Sequence, residues 1–139
     1  MKITVFPVSG EPEALQFAVI AAKHKGKWVW VRHRDRDTFE MPGGHIEAGE
    51  TALDAARREL FEESGATEFT ISEICANGVD RDGEKTYGKL FYAEITAFVD
   101  IPSDYEMAER ALFDVPPGNQ TYPEIQAGLL EMLAERGIT

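Results

Sequence analysis

Pro42-Gly43-Gly44-His45-Ile46-Glu47-Ala48-Gly49-Glu50, followed by Thr51-Ala52-Leu53-Asp54-Ala55-Ala56-Arg57-Arg58-Glu59-Leu60-Phe61-Glu62-Glu63-Ser64-Gly65, is the stretch on which the reading of this chain turns. Ala, Leu, Arg and Glu dominate from Thr51 to Ser64, and Leu53, Ala56 and Leu60 fall on one face at helical spacing. Thr51 and Asp54 make a capping box at the start, and Gly65 ends the helix as a C-terminal cap. On that helix Glu59 lies one turn from both Glu62 and Glu63, so three carboxylates crowd one edge and repel one another. Arg58 can pair with Glu62, but hard divalent cations held by several carboxylate oxygens suit the cluster better. Gly43 and Gly44, lacking side chains, let backbone carbonyls or amides approach a metal or a phosphate.

Strands flank this segment. Residues 15–23 and 27–33 are rich in β-branched and aromatic side chains, with Lys25-Gly26 between them as a hairpin turn. Residues 68–79 and 86–99 form a second pair of strands around Asp80-Arg81-Asp82-Gly83. Arg110 to Phe113 supplies another short strand. A last helix follows, with Thr121 and Glu124 as a second capping box, Pro123 in its first turn, and Ile125, Leu129, Met132 and Leu133 as its apolar stripe. Hairpins around two helices predict an α/β (α+β) fold, a mixed-sheet α/β/α sandwich, and 139 residues without repeats or linkers predict one domain over 1–139.

Composition narrows the function. The longest apolar run, Phe17 to Ala22, is far too short to span a bilayer, and Met1-Lys2-Ile3 opens no signal peptide, so a cytoplasmic protein without a membrane partner is expected. Cys75 is the sole cysteine, which excludes an intramolecular disulfide and suits a reducing compartment; it reads as a small core residue. A net charge of −11 argues against a nucleic-acid partner. Six of the fourteen Lys and Arg nevertheless fall between Lys23 and Arg36, ahead of the carboxylates, so an anionic substrate is compatible if metals offset the acids. His24, His33 and His45 lack zinc-ligand spacing. Trp28 and Trp30 share a sheet face and read as core.

The spacing Gly-x5-Glu-x7-Arg-Glu-aliphatic-x-Glu-Glu-x-Gly-aliphatic is met at Gly44, Glu50, Arg58, Glu59, Leu60, Glu62, Glu63, Gly65 and Ala66. In this respect the chain resembles the Nudix hydrolase family, with one soft departure, Ala66 standing where a larger aliphatic is usual. The resemblance implies a Nudix fold and hydrolysis of a nucleoside diphosphate linked to another moiety, with magnesium or manganese as cofactor. It implies Glu59, Glu62 and Glu63 as metal ligands, the Gly43 carbonyl as a further one, and Glu50 with Arg58 as the ion pair tying loop to helix. Glu59 and Glu106 are the two candidates for general base, and Glu109 is the fallback for a loop acid. Arg32, Arg34, Phe39, Gly44 and Tyr87 are the candidate substrate contacts, the two aromatics as base-stacking platforms.

Subgroup marks point onward. Arg81 stands where the ADP-ribose subgroup carries a proline, and Gly83-Glu84 where the dinucleoside-polyphosphate subgroup carries a tyrosine. What remains resembles the mutator-type nucleoside triphosphate pyrophosphatases. The expected substrate is then a small-molecule purine nucleotide, 8-oxo-dGTP among the candidates, with nucleotide-pool sanitation as the role and a homodimer as the common family assembly. An RNA 5'-end pyrophosphohydrolase and a nucleotide-sensing binding module are the alternatives.

Overall fold

Two tight turns pin the hairpins on which the sheet is built. Lys25 and Gly26 take positive φ of 51° and 81°, and Asp82 and Gly83 take 52° and 95°, the mirror-image turn geometry that matches strand twist. The computed structural model describes residues 2–10, 12 and 14–139. In chain order the elements are β1 (Ile3–Val8), β2 (Phe17–His24), β3 (Lys27–His33), β4 (Phe39–Glu40), β5 (Gly43–His45), α1 (Ala52–Ser64), β6 (Ala66–Arg81), β7 (Glu84–Phe98), β8 (Met107–Phe113) and α2 (Pro123–Ala134). The sheet runs β1-β6-β7-β2-β3-β4, with β5 added to β2 and β8 to β3. β2 and β7 are parallel, and the other strand pairs are antiparallel. This is the mixed sheet with two helices expected from the sequence.

Strand alternation divides the apolar residues into two cores. Ala18, Ile20 and Ala22 of β2, Val29 of β3, and Phe91, Ala93 and Ile95 of β7 pack under Ala55, Ala56 and Leu60 of α1. Ala21, Trp28, Trp30 and Leu90 pack under Leu129, Met132 and Leu133 of α2. Trp28 and Trp30 are therefore core, as their spacing suggests. Cys75 is half-buried beside Met132, with its sulfur 3.9 Å from the Met132 sulfur. No helix among the described residues is long and apolar enough to cross a membrane.

The structure differs from the sequence reading at five places. β1 was not expected; it pairs with the far end of β6, which runs longer than its hydrophobic pattern indicates. The glycine segment is not all loop, since Phe17, Ala18 and Val19 pair with His45, Gly44 and Gly43. The second hairpin turn is only Asp82-Gly83, because Asp80 and Arg81 still pair with Lys85 and Glu84. Leu53 is exposed, and Ala55 replaces it on the buried face of α1. The box expected at Thr121 and Glu124 does not form: Tyr122, in the left-handed region at φ 50°, caps α2 without a side-chain bond, and the Thr121 hydroxyl lies 2.5 Å from that of Thr38.

Candidate active site

α1 starts where the sequence places it. The Thr51 hydroxyl accepts from the Asp54 N–H, and the Asp54 carboxylate accepts from the Thr51 N–H, each at 3.0 Å. Gly65 closes the helix at φ 78°, its N–H donating to the Phe61 carbonyl. This fixed register sets where the four acidic and basic side chains point.

Arg58 is the hub. Its Nε and Nη2 donate to both oxygens of Glu50 at 2.7 and 2.9 Å, a fork-to-fork pair, and Nη2 also reaches the His45 carbonyl at 3.1 Å. Its Nη1 donates to Glu59 at 2.8 Å and to Glu62 at 3.2 Å. The Arg58 hydrogen bonds, with help from the Glu47 N–H, hold the Glu50 carboxyl down at about 2. In return the Glu50 bond makes the Arg58 guanidinium still harder to deprotonate. The pair staples the glycine segment to the helix.

Glu63 is in a different state. Burial pushes its carboxyl up to about 9, only partly offset by the Gly43 N–H donated to its Oε1 at 2.8 Å. Glu59, Glu40 and Glu106 add negative potential that raises it further. Burial also raises Glu59, against the pull of Arg58, and raises Glu40, against Arg36 and His33. A carboxyl held this way needs either a proton or a cation. The donor set is all oxygen, which fits a hard divalent ion. Among the described residues no three acidic, imidazole or thiol groups converge on one point: Glu59 and Glu62 turn to Arg58, while Glu63 turns to Gly43. A Cβ at Gly44 would lie 2.6 Å from the Glu59 carboxyl carbon, so any larger residue there would push the Glu59 carboxylate aside.

On the opposite face of the sheet lies a cavity of about 250 Å³, walled by Phe17, Val19, Asn77, Val79 and Gly88 from the strands and by Ile125, Gln126 and Leu129 from α2. Gly43, Gly44 and His45 also line it. The backbone of β5 thus separates an apolar cavity from the carboxylates of α1. At the rim the Arg81 guanidinium sits 4.8 Å from the Tyr122 ring centre.

The other candidate residues are distributed as follows. Gly44 and Tyr87 line the cavity, but the Tyr87 ring packs edge-on against Phe6 with centres 6.2 Å apart. Phe39 does not line it; its ring meets Phe113 edge-on at 5.2 Å and joins the α2 core. Arg32 pairs with Glu109 at 2.9 Å, and Arg34 donates to the carbonyls of Ser103, Tyr105 and Glu106, so both tie β3 to the β8 side rather than facing the cavity. Sequence spacing along a strand end shows charge but not which partner takes it. Glu106 is exposed just before β8, with Oε2 3.4 Å from His33 Nε2. Glu40, Asn77, Phe17 and α2 were missed as site residues, since only the strand register brings them together.

A family model of the NUDIX domain matches residues 12–116. The Bacillus subtilis (strain 168) protein YtkD, named for 8-oxo-dGTP diphosphatase activity, is 29% identical over 100 residues, 72% of this chain and 63% of that protein. An RNA pyrophosphohydrolase of Psychrobacter sp. (strain PRwf-1) is 43% identical over 47 residues, 34% of this chain and 27% of that protein. The chain thus aligns with less than two thirds of the length of these relatives. Among solved structures, the Bacillus subtilis pyrophosphohydrolase BsRppH (E68A mutant) superposes with a TM-score of 0.80 at 23% identity, covering 99% of this chain and 93% of that one. A NUDIX hydrolase from Nitrosomonas europaea gives 0.72 at 19% identity, covering 90% and 91%. With the family match spanning most of its length, the chain belongs to the NUDIX family.

Proposed function

We propose that this chain is a magnesium-dependent pyrophosphohydrolase of purine nucleoside triphosphates, including oxidised guanine nucleotides, releasing nucleoside monophosphate and pyrophosphate. The observation that carries the reading is the single backbone layer, Gly43 and Gly44, between the apolar cavity and the carboxylate cluster. The cavity is just below the roughly 300 Å³ at which small-molecule pockets begin, room for a base while the phosphates lie outside over the glycines. NUDIX hydrolases generally use divalent cations, and manganese would serve the same oxygen ligands.

Glu59, Glu62 and Glu63 would hold the cation, with the Gly43 carbonyl as a further donor. When bound, it neutralises phosphate oxygens and lowers the pKa of an attacking water. Arg58 and Glu50 fix the helix against the glycine segment, so the carboxylates meet the phosphates in one geometry. Glu59, already pushed up by burial, is one candidate to take the proton from water; Glu106, steered by His33, is the other. The water oxygen bonds to phosphorus, the anhydride between the α and β phosphates breaks, and pyrophosphate leaves with the electron pair.

A second reading, RNA 5'-end pyrophosphohydrolase, is favoured by the names of the Psychrobacter and BsRppH relatives and by Arg81 and Tyr122 at the cavity rim. The net charge of −11 weighs against a long polyanion. Nucleoside triphosphates and 5'-triphosphorylated RNA, each supplied with magnesium, separate the readings by released pyrophosphate. Turnover of RNA alone would overturn the nucleotide reading, and bound nucleotide left intact would make the chain a sensor. The proposal includes a cytosolic location and a homodimer, the latter checked by light scattering.

A further inference from the structure

One polar group in the cavity wall is not used by the fold. Asn77 is 4% exposed, and its Nδ2 is closed off from solvent with no hydrogen-bond partner among the described residues. An unpaired buried amide is a standing penalty on folding, and an apolar residue would avoid it. Val79, two residues on and on the same face of β6, is such a residue and lines the same cavity.

The strand register shows what Asn77 faces. Asn77 pairs with Gly88, Gly88 with Phe17, and Phe17 with His45, one row crossing β6, β7, β2 and β5. Gly88 puts no side chain on this row, and a Cβ there would come within 3.0 Å of the Phe17 carbonyl oxygen. The row is a shelf, with an aromatic ring at one end and an amide at the other. Gln126, the other buried amide in the wall, is engaged at both ends: Oε1 accepts from the Met41 N–H and Nε2 donates to the Thr121 carbonyl.

We propose that Asn77 reads the base, its amide N–H donating to a ring carbonyl oxygen of a 6-oxopurine seated on the Gly88 shelf beside Phe17. This rests on the nucleotide reading above. Guanine and hypoxanthine offer an acceptor at that edge. Adenine offers an amino group there, so the Asn77 amide would have to turn over and present Oδ1 in place of the Nδ2 that the fold leaves unpaired; the preference for the 6-oxo group is then worth about one hydrogen bond.

The test is steady-state hydrolysis of dGTP, dITP, dATP and 2-aminopurine deoxyriboside triphosphate, together with calorimetric binding of GMP, IMP and AMP, by the native protein and by Asn77→Leu. The expected result is a kcat/KM for dGTP and dITP about 10-fold or more above the other two, carried by KM, as loss of one hydrogen bond predicts. Asn77→Leu brings dGTP down to the level of dATP and raises the melting temperature, since an unpaired buried donor is gone. A native protein indifferent to the 6-position, or a variant that keeps the preference, overturns the inference. If no free triphosphate is hydrolysed, the nucleotide reading fails by itself. Asn77 is then judged on the monophosphates, where a GMP and IMP preference abolished in the variant upholds it and equal or absent binding overturns it.

Discussion

The two faces of the sheet solve opposite problems. Under α1, Glu50, Arg58, Glu59, Glu62 and Glu63 come from one loop and one helix, so local spacing sets their geometry. Under α2, the cavity draws on residues from Phe17 to Leu129, and it exists only because β2, β5, β6 and β7 lie in one particular register. The charged face holds the buried Glu59 and Glu63 carboxyls at the expense of stability, Glu63 the extreme case, while Glu50 is favourably paired with Arg58. The apolar face contributes core, and among the described residues it leaves two buried donors unpaired, Trp30 Nε1 within the core and Asn77 Nδ2 in the cavity wall. On the function proposed above, chemistry falls where sequence neighbours meet, and base selectivity where distant strands do.

The sharpest way to break this contrast is Glu63→Gln. It keeps the shape and can still accept from the Gly43 N–H, but it removes the charge a hard cation needs. Turnover with magnesium should fall by about 100-fold or more. The metal-free protein should become more stable at neutral pH, which thermal melts in chelator would show. The sign follows from linkage: Glu63 sits at about 9 against an ordinary 4.5, so deprotonation is resisted in the folded state. Its penalty is absent below pH 4.5 and grows as pH rises toward 9. Glu50, at about 2, acts the other way, stabilising above 4.5 and losing that contribution as pH falls toward 2. Metal-free stability should therefore decline between pH 4.5 and 9 in the native protein and much less in Glu63→Gln. Equal slopes over pH 4.5 to 9 would remove Glu63 as the cause.

Arg58→Ala should lower both rate and stability. It frees Glu50 from the helix and leaves Glu59 and Glu62 without their shared cation. The site is only partly buried, so the expected loss is about 2 kcal/mol, between exposed and buried ion-pair values. Activity should fall roughly 10- to 100-fold, as for residues that orient metal ligands. Arg58→Lys should recover little, because an ammonium cannot fork onto both Glu50 oxygens. Chemical denaturation together with kinetics checks both halves.

How much of this was legible in the sequence follows the same division. The α1 box, its caps at Thr51 and Gly65, and the Lys25-Gly26 turn are written in residues a few positions apart, and the structure has them there. The cavity was not legible. Asn77 and Gly88 read as ordinary strand residues until their pairing places them side by side, and β1 was invisible because its partner is the far end of β6. The β3 arginines misled for a related reason: a basic run before the box points to phosphate, yet Arg32 and Arg34 are taken by Glu109 and by carbonyls ahead of β8.

Phe39 separates the two faces at a single residue. Read as a base platform, its loss should raise KM. Packed against Phe113 in the α2 core, Phe39→Ala should instead cost about 2 kcal/mol of stability, less than a fully buried phenylalanine, while KM for nucleotide stays within about twofold. A large rise in KM at unchanged stability would return the ring to the substrate side.

The smallest effect comes from comparing the two helix starts. Both carry a threonine followed three residues later by an acid, Thr51 with Asp54 and Thr121 with Glu124. Only the first pair closes a box. At α2 the chain turns through Tyr122 at φ 50°, so Tyr122 rather than Thr121 takes the capping position, and the Thr121 hydroxyl is committed to Thr38. Thr51→Ala should therefore cost about 1 kcal/mol, the usual value of a lost N-cap. Glu124→Ala should cost only the weak attraction of an exposed acid for the helix N-terminus, about 0.5 kcal/mol or less. Urea titrations of the two variants decide it: equal losses would mean that a box forms at both helices in solution, and a loss at Thr51 alone would show that the left-handed turn at Tyr122 overrides the local sequence signal.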